Sequence, residues 1–374
     1  MNKKVLFVGT VLRGHMLVFH LPFMRWFQQQ GYEVHLCCRN DTDEAVTKVP
    51  NCDRYFDLPF ERSPFNARNL NVYKQMKRLI DENDYALIHC HTPVGALLTR
   101  LCARQARKKG TRVVYTAHGF HFFKGAPLKN WLLFYPAEWL LARWTDLLIT
   151  INDEDARRAA RMPARKTVKV NGVGVDLTRF EPPLDRRVAR DQLGIPQDAQ
   201  VLMTVGEHSV RKNHAVLLKA AAKLPGVQVL LCGWGEGLPA LEQLADSLGI
   251  RQRVHFLGFR KDVPQVLPAA DVYVFPSLHE GLPVALMEAM AVGLPVVASN
   301  VRGCVDLIED GEGGFLHDPT DVEGFTKDIR ALLDDPALRE RMGAANRETM
   351  RGYALPDVLE KMAALYQEQL KGNG

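Results

Sequence analysis

Short, continuous apolar runs, each closed by a polar or glycine-bearing turn, recur from one end of the chain to the other. In the first half these are KVLFVG (4–9), YEVHLCC (32–38), ALIHCH (86–91) and RVVYTAHG (112–119). After about residue 180 the pattern restarts with QVLMTVG (200–206), VQVLLCG (227–233), RVHFLG (253–258), DVYVFPS (271–277) and PVVASN (295–300). Runs of this kind, with helical periodicity between them, read as parallel strands buried on both faces. The chain is therefore expected to be α/β, built from doubly wound domains. A length of 374 residues exceeds one ordinary core, and the restart divides it. The stretch NGVGVDLTRFEPPLDRR (171–187) is the linker candidate, and DVLEKMAALYQEQL (357–370) closes the chain as a helix. The expected domains are residues 1–178 and 179–355, followed by a helix in 356–374.

Charge divides in the same place. Residues 1–180 hold 28 Lys and Arg against 16 Asp and Glu, and residues 181–374 hold 20 against 27. A basic half favours an anionic partner or surface. No basic stripe is interleaved with aromatics, so nucleic acid is not expected. No apolar run reaches the roughly 18 residues of a spanning helix, and the opening run is too short for a secretory signal. Seven scattered cysteines suit reduced thiols, and the expected location is cytoplasmic.

Open α/β sheets bind ligands just beyond the carboxyl ends of their strands. The richest such loop is PSLHEGLPVALMEAMAVGLPVVAS (276–299). There a helix is expected to begin near Pro283 as its first residue, which leaves the amides of Gly281, Leu282 and Val284 open to a phosphate. Glu288, one helical turn deeper, is placed to accept bonds from two ribose hydroxyls. Arg211 and Lys212 follow another strand and can neutralise a diphosphate leaving group. Gly206 ends that strand. Gly233 and Gly235 lie in a turn on the same edge, and Arg260 leaves the next strand, where it could face a base. In the first half, Gly14 follows the opening strand and permits close backbone approach. His118 and His121 follow a fourth strand, where an imidazole could orient a hydroxyl or share its proton.

Other clusters carry less. His89 and His91 resemble a ligand pair, but alternate strand residues are taken to point to opposite faces, and no further ligand spacing supports a metal. No metal is expected. Asp41-Thr42-Asp43 and Asp153-Glu154-Asp155 are read as helix caps. No nucleophile elbow and no Walker loop is present, which excludes esterase and NTPase readings.

Taken together, Glu280-Gly281-Leu282-Pro283 running to Glu288, Arg211-Lys212-Asn213, the Gly233/Gly235 loop and Asn171-Gly172-Val173 before Asp176 resemble the retaining glycosyltransferases of family 4. HTPVGALLTR and HGFHFFKGAP resemble the branch that builds capsule, exopolysaccharide or lipid-linked glycans. The resemblance implies the GT-B fold, two Rossmann-like domains facing across a cleft, with no metal and no cofactor beyond a nucleotide-sugar co-substrate. It implies that Glu288 holds the ribose, Arg211 and Lys212 the diphosphate, and Glu280 the donor sugar. It places His118 near the reacting sugar, Gly14 beside the phosphates and the last helix back on the first domain. It favours UDP. One departure is Glu207, where many members carry arginine. The implied acceptor is a polyprenyl-diphosphate-linked glycan. Residues 91–145, with nine Lys and Arg against Glu138 alone, suit peripheral contact with the inner, anionic face of a membrane. The alternatives are an epimerase of the same fold and a silent nucleotide-sugar-binding subunit.

Overall fold

In the computed structural model, which describes residues 3–42, 44–46, 48–181 and 184–371, the chain divides into two units. One is Met1–Gly174 with Pro356–Gly374, and the other is Val175–Leu355. Of the residues singled out above, Asp43 and the linker prolines Pro182 and Pro183 lie outside the described residues.

The first unit carries β1 (Lys4–Val11), β2 (Glu33–Arg39), β3 (Arg54–Asp57), β4 (Leu87–His91), β5 (Arg112–Ala117), β6 (Leu147–Thr150) and β7 (Thr167–Lys169). They form one parallel sheet in the order β3-β2-β1-β4-β5-β6-β7. The sheet grows outward from β1 in one direction and then from β4 in the other, so β1 and β4 flank a topological switch point. Alternate strand residues feed two apolar layers. One layer holds Leu6, Val8, Ile88 and Tyr115. The other holds Val5, Phe7, Leu87 and Val114, and is closed by Val358, Met362, Leu365 and Tyr366 of the helix Leu355–Lys371. That helix places an apolar residue inward every three or four positions, the spacing of one helical face. Its Tyr366 hydroxyl meets His89 Nδ1 at 2.8 Å in the core.

The second unit carries β8 (Val201–Val205), β9 (Gln228–Cys232), β10 (Val254–Gly258), β11 (Val272–Phe275), β12 (Val296–Ser299) and β13 (Gly314–His317). These are also parallel, in the order β10-β9-β8-β11-β12-β13, with the switch point between β8 and β11. Two apolar layers again cover its faces.

Four strands were absent from the sequence reading. β3, β7 and β13 are three- or four-residue strands at sheet edges, half-buried or exposed for most of their length, so no apolar run announces them. β6, LLIT, is fully buried but lies just beyond the apolar helix Leu128–Ala142, whose composition hides where the helix ends.

That helix is only partly covered. Trp131, Phe134, Tyr135 and Trp139 pack on the first core. Glu138 reaches inward to the buried Arg100, with bonds of 2.8 and 3.1 Å, and Arg100 stacks 4.3 Å above the Tyr115 ring. Leu128, Leu132, Leu133 and Leu140 of the same helix remain exposed. No helix among the described residues is long and apolar enough to cross a membrane.

Candidate active site

In the second unit the loops after β8 and β11, the two strands at the switch point, converge. The backbone after β8 makes a short 3-10 turn, Val210–Lys212, and Asn213 leaves it in a left-handed conformation, φ 54°. Asn213 Nδ2 then donates to the carbonyls of Pro276 (3.0 Å) and Pro319 (2.8 Å), while Leu278 N donates to Arg211 O at 2.8 Å. These bonds fix where two cations point. Arg211 Nη1 and Lys212 Nζ both donate to Glu280 Oε1, at 2.8 and 2.7 Å. Lys212 also stands 4.6 Å over the Phe275 ring, and it is almost wholly buried. Two cations and one carboxylate leave this cluster positive.

The helix after this loop runs Val284–Val292. Pro283 is its N-cap rather than its first residue, so the helix starts one position later than the sequence suggested. The consequence for the backbone is the same, because proline has no N–H to leave unpaired. Among the described residues the amides of Gly281, Leu282 and Val284 have no hydrogen-bond acceptor, so the positive end of the helix is open. Arg302, invisible to motif reading because it lies 22 residues downstream, donates from Nε to the Glu280 carbonyl at 2.8 Å and holds the loop from behind.

Glu288 points from the second turn and is mostly buried, and Arg179 Nη1 meets its Oε1 at 3.0 Å. Burial pushes the Glu288 carboxyl up from its ordinary range, and Arg179 pulls against that. Arg179 was missed because nothing links it to a residue 109 positions away except the fold.

The glycines of the 233–237 turn answer to packing. A Cβ on Gly233, where φ is 155°, would lie 1.8 Å from the Gly206 carbonyl oxygen, and one on Gly235 would lie 2.5 Å from His208 O. Loop meets loop there: Gly206 N donates to Cys232 O, His208 N to Trp234 O and Gly237 N to His208 O. Gly206 itself lets the Lys212 stem pass, since a Cβ would lie 3.3 Å from Lys212 Cε. Arg260 is clamped by Asp262 through bonds of 2.8 and 2.6 Å, and that pairing holds the Asp262 carboxyl below its usual range. Its guanidinium is thus already engaged. Glu207 is exposed.

In the first unit the loop after β1 winds as one π-helical turn, Leu12–Met16. Asp41 takes the Arg13 amide at 2.6 Å and the Gly14 amide at 3.2 Å, so a carboxylate already covers the open turn. Asp41 caps this turn and starts no helix of its own, contrary to its reading as a helix cap. Asp153-Glu154-Asp155 does open a helix, but Asn152 is the cap. Asp155 instead lies buried, accepting from Phe120 N at 3.0 Å, which shapes the loop after His118.

His118 does not stand alone. Its Nε2 lies 3.3 Å from His91 Nδ1, and with His15 and His20 it forms a group whose nearest ring nitrogens all fall within 4.8 Å of one another. The expectation that His89 and His91 point to opposite faces fails. His89 and His91, two residues apart on β4, share a face, with ring centroids 4.0 Å apart. The other members come from separate segments that no spacing rule connects. Burial lowers every one of these imidazoles, His15 to about 4 and His89 to about 3, with the neighbouring rings adding to the effect on His20, His91 and His118. His121 is exposed, resting against Phe134 at 4.8 Å.

Residues 185–349 match the family described as glycosyl transferases group 1, and residues 4–152 match glycosyl transferase 4-like. A putative glycosyltransferase, EpsD of Bacillus subtilis, is 42% identical over 374 residues, covering 98% of this chain and 97% of its own. The chain belongs to the glycosyltransferases. The enzyme is also 28% identical over 353 residues to the Escherichia coli UDP-Gal:alpha-D-GlcNAc-diphosphoundecaprenol alpha-1,3-galactosyltransferase, covering 90% of this chain and 89% of that protein. Its fold matches Anabaena HepE in complex with UDP-glucose, with TM-score 0.81 at 22% identity, covering 98% of this chain and 99% of that one. The two parallel-sheet units are thus those of a GT-B glycosyltransferase.

Proposed function

We propose that this glycosyltransferase moves a sugar from a UDP-sugar to a polyprenyl-diphosphate-linked glycan, with retention at the anomeric carbon and without a metal. One observation carries the donor half: Arg211 and Lys212 converge on Glu280 Oε1 beside the open amides of Gly281, Leu282 and Val284. As the glycosidic bond to the diphosphate breaks, negative charge grows on its oxygens. Prepositioned cations and helix-end amides in a water-poor loop stabilise that charge without reorganising. Glu280 keeps both cations in place before the donor arrives, and its second oxygen is left to accept a hydroxyl of the donor sugar. Glu288, held by Arg179, accepts the ribose hydroxyls. The acceptor hydroxyl attacks from the face the diphosphate leaves, and a diphosphate oxygen takes its proton. His118 is the group assigned to the reacting sugar, a neutral imidazole able to donate or accept one hydrogen bond.

The acceptor half rests on the first unit. The exposed leucines of the helix Leu128–Ala142 are flanked by the exposed cations Lys124, Lys129 and Arg143, a combination that seats a helix at an anionic lipid surface. Beside it an apolar cavity of about 260 Å³, lined by Phe65, Leu97, Phe122 and Leu133, suits an isoprenoid chain. Similarity to a protein named for a diphosphoundecaprenol-linked substrate supports the same class.

The test is transfer to a synthetic polyprenyl-diphosphate N-acetylhexosamine with UDP-, GDP- and ADP-sugars, reading nucleoside diphosphate release and the configuration of the product. UDP-sugars should be consumed and the same anomer formed. A matching panel of thermal shifts should show UDP stabilising by about 2.7 kcal/mol at 100 times its dissociation constant. An inverted product, or preference for another nucleotide, would overturn the assignment.

A further inference from the structure

The histidine group of the first unit asks for a ligand of its own. Four imidazoles arrive from separate places: His15 on the π-helical turn, His20 at the joint before the helix Leu21–Gln29, His91 at the end of β4 and His118 after β5. His15 Nε2 and His20 Nε2 are 3.1 Å apart, and His91 Nδ1 and His118 Nε2 are 3.3 Å apart. Neighbouring ligands of a tetrahedral zinc ion, each bound at about 2.0–2.1 Å, stand about 3.3 Å from each other. Two of the pairings already have that separation.

The opposite nitrogens of two of these rings, His20 Nδ1 and His91 Nε2, are buried and have no hydrogen-bond partner, so no bond on that side holds either ring against turning. The donor set is all imidazole. That chemistry suits zinc, cobalt, nickel or copper and not magnesium or calcium, which take oxygen. A cavity of about 350 Å³ lined by Gly14, His15, Thr92 and His121 supplies an entrance.

We propose that His15, His20, His91 and His118 form a binding site for a zinc-class divalent cation. His20 stacks on His91 with ring centroids 3.7 Å apart, so one of the two rings rotates to bring its in-plane lone pair to the ion. Resting on the assignment of His118 to the reacting sugar, the bound ion is an inhibitor rather than a cofactor, because it takes the imidazole that the reaction uses.

Titration of the chelator-treated full-length chain with cobalt(II) tests the site by spectroscopy, independently of catalysis. A single equivalent should develop the intense visible absorption of tetrahedral cobalt, and zinc should bleach it. The double variant His15→Gln/His20→Gln, with unchanged near-UV circular dichroism, should not develop it. Should that variant lose its dichroism, the single variant His15→Gln, whose ring is only partly buried, carries the comparison. It should weaken binding by more than the roughly 10- to 100-fold that loss of an outer partner costs. No visible band in the wild type, or a band undiminished in the variants, would leave the four rings as a hydrogen-bonded imidazole network and end the proposal. Either result leaves the transferase assignment standing, since no step of it was measured.

Discussion

The two units share a sheet plan and place their candidate groups at the same point of it, yet the chemistry of the two edges is opposite. At the β8/β11 switch point stand Arg211, Lys212, Glu280 and the open end of a helix, all committed to charge. At the β1/β4 switch point stand neutral imidazoles, and the one open turn is already closed by Asp41. The topology supplies the location, and the side chains of the loops decide what is bound there. An edge built to hold a diphosphate is rich in fixed positive charge. An edge built from neutral rings offers hydrogen bonds, or lone pairs for a metal, and leaves charge to the substrate.

The sharpest way to break this contrast is Lys212→Ala. If the second edge works by prepositioned charge, turnover should fall roughly 100- to 1,000-fold, as when a single transition-state donor is removed, with circular dichroism unchanged. Near-normal turnover would mean that Lys212 only holds Glu280.

A matched pair of glycines gives the next largest effect. Gly233→Ala drives a Cβ into the Gly206 carbonyl and should destabilise the protein by about 2 kcal/mol or more in urea denaturation. Gly14→Ala meets nothing nearer than Asp41 Oδ2 at 3.4 Å and should change stability by less than about 1 kcal/mol. Equal costs would remove the distinction between a loop made of glycine by packing and one that is not.

The smallest effect is expected from Glu288→Gln. The carboxyl is raised by burial, so in the wild type its charge is a penalty at neutral pH that is relieved as pH falls through the raised value. The variant should therefore be more stable than wild type at neutral pH, by about 1 kcal/mol or less, and the gap should close on acidification. A gap that widens in acid would show that the Arg179 bond outweighs the desolvation.

Much of this was legible from residue order alone. Central parallel strands are buried on both faces, so they write themselves as unbroken apolar runs. The anion seat is written in two short stretches, 211–213 and 280–288, because a strand, a turn and a helix end are neighbours in sequence. What was hidden is what the fold brings together from a distance. Arg179 meets Glu288, Arg302 meets the Glu280 carbonyl, and His15 and His20 meet His91 and His118 only once β1, β4 and β5 lie side by side. The clamp of Asp262 on Arg260 was short-range and could have been read as a pair two residues apart.

The first unit takes its last helix from the far end of the chain. Val358, Met362, Leu365 and Tyr366 complete an apolar layer begun by Val5 and Phe7, while the second unit is one unbroken stretch. On the ribosome, that face of the first sheet must therefore stay partly uncovered until residues 358–366 are translated. Nonsense or frameshift changes just ahead of Val358, which would spare every residue of the anion seat, should still yield an insoluble product.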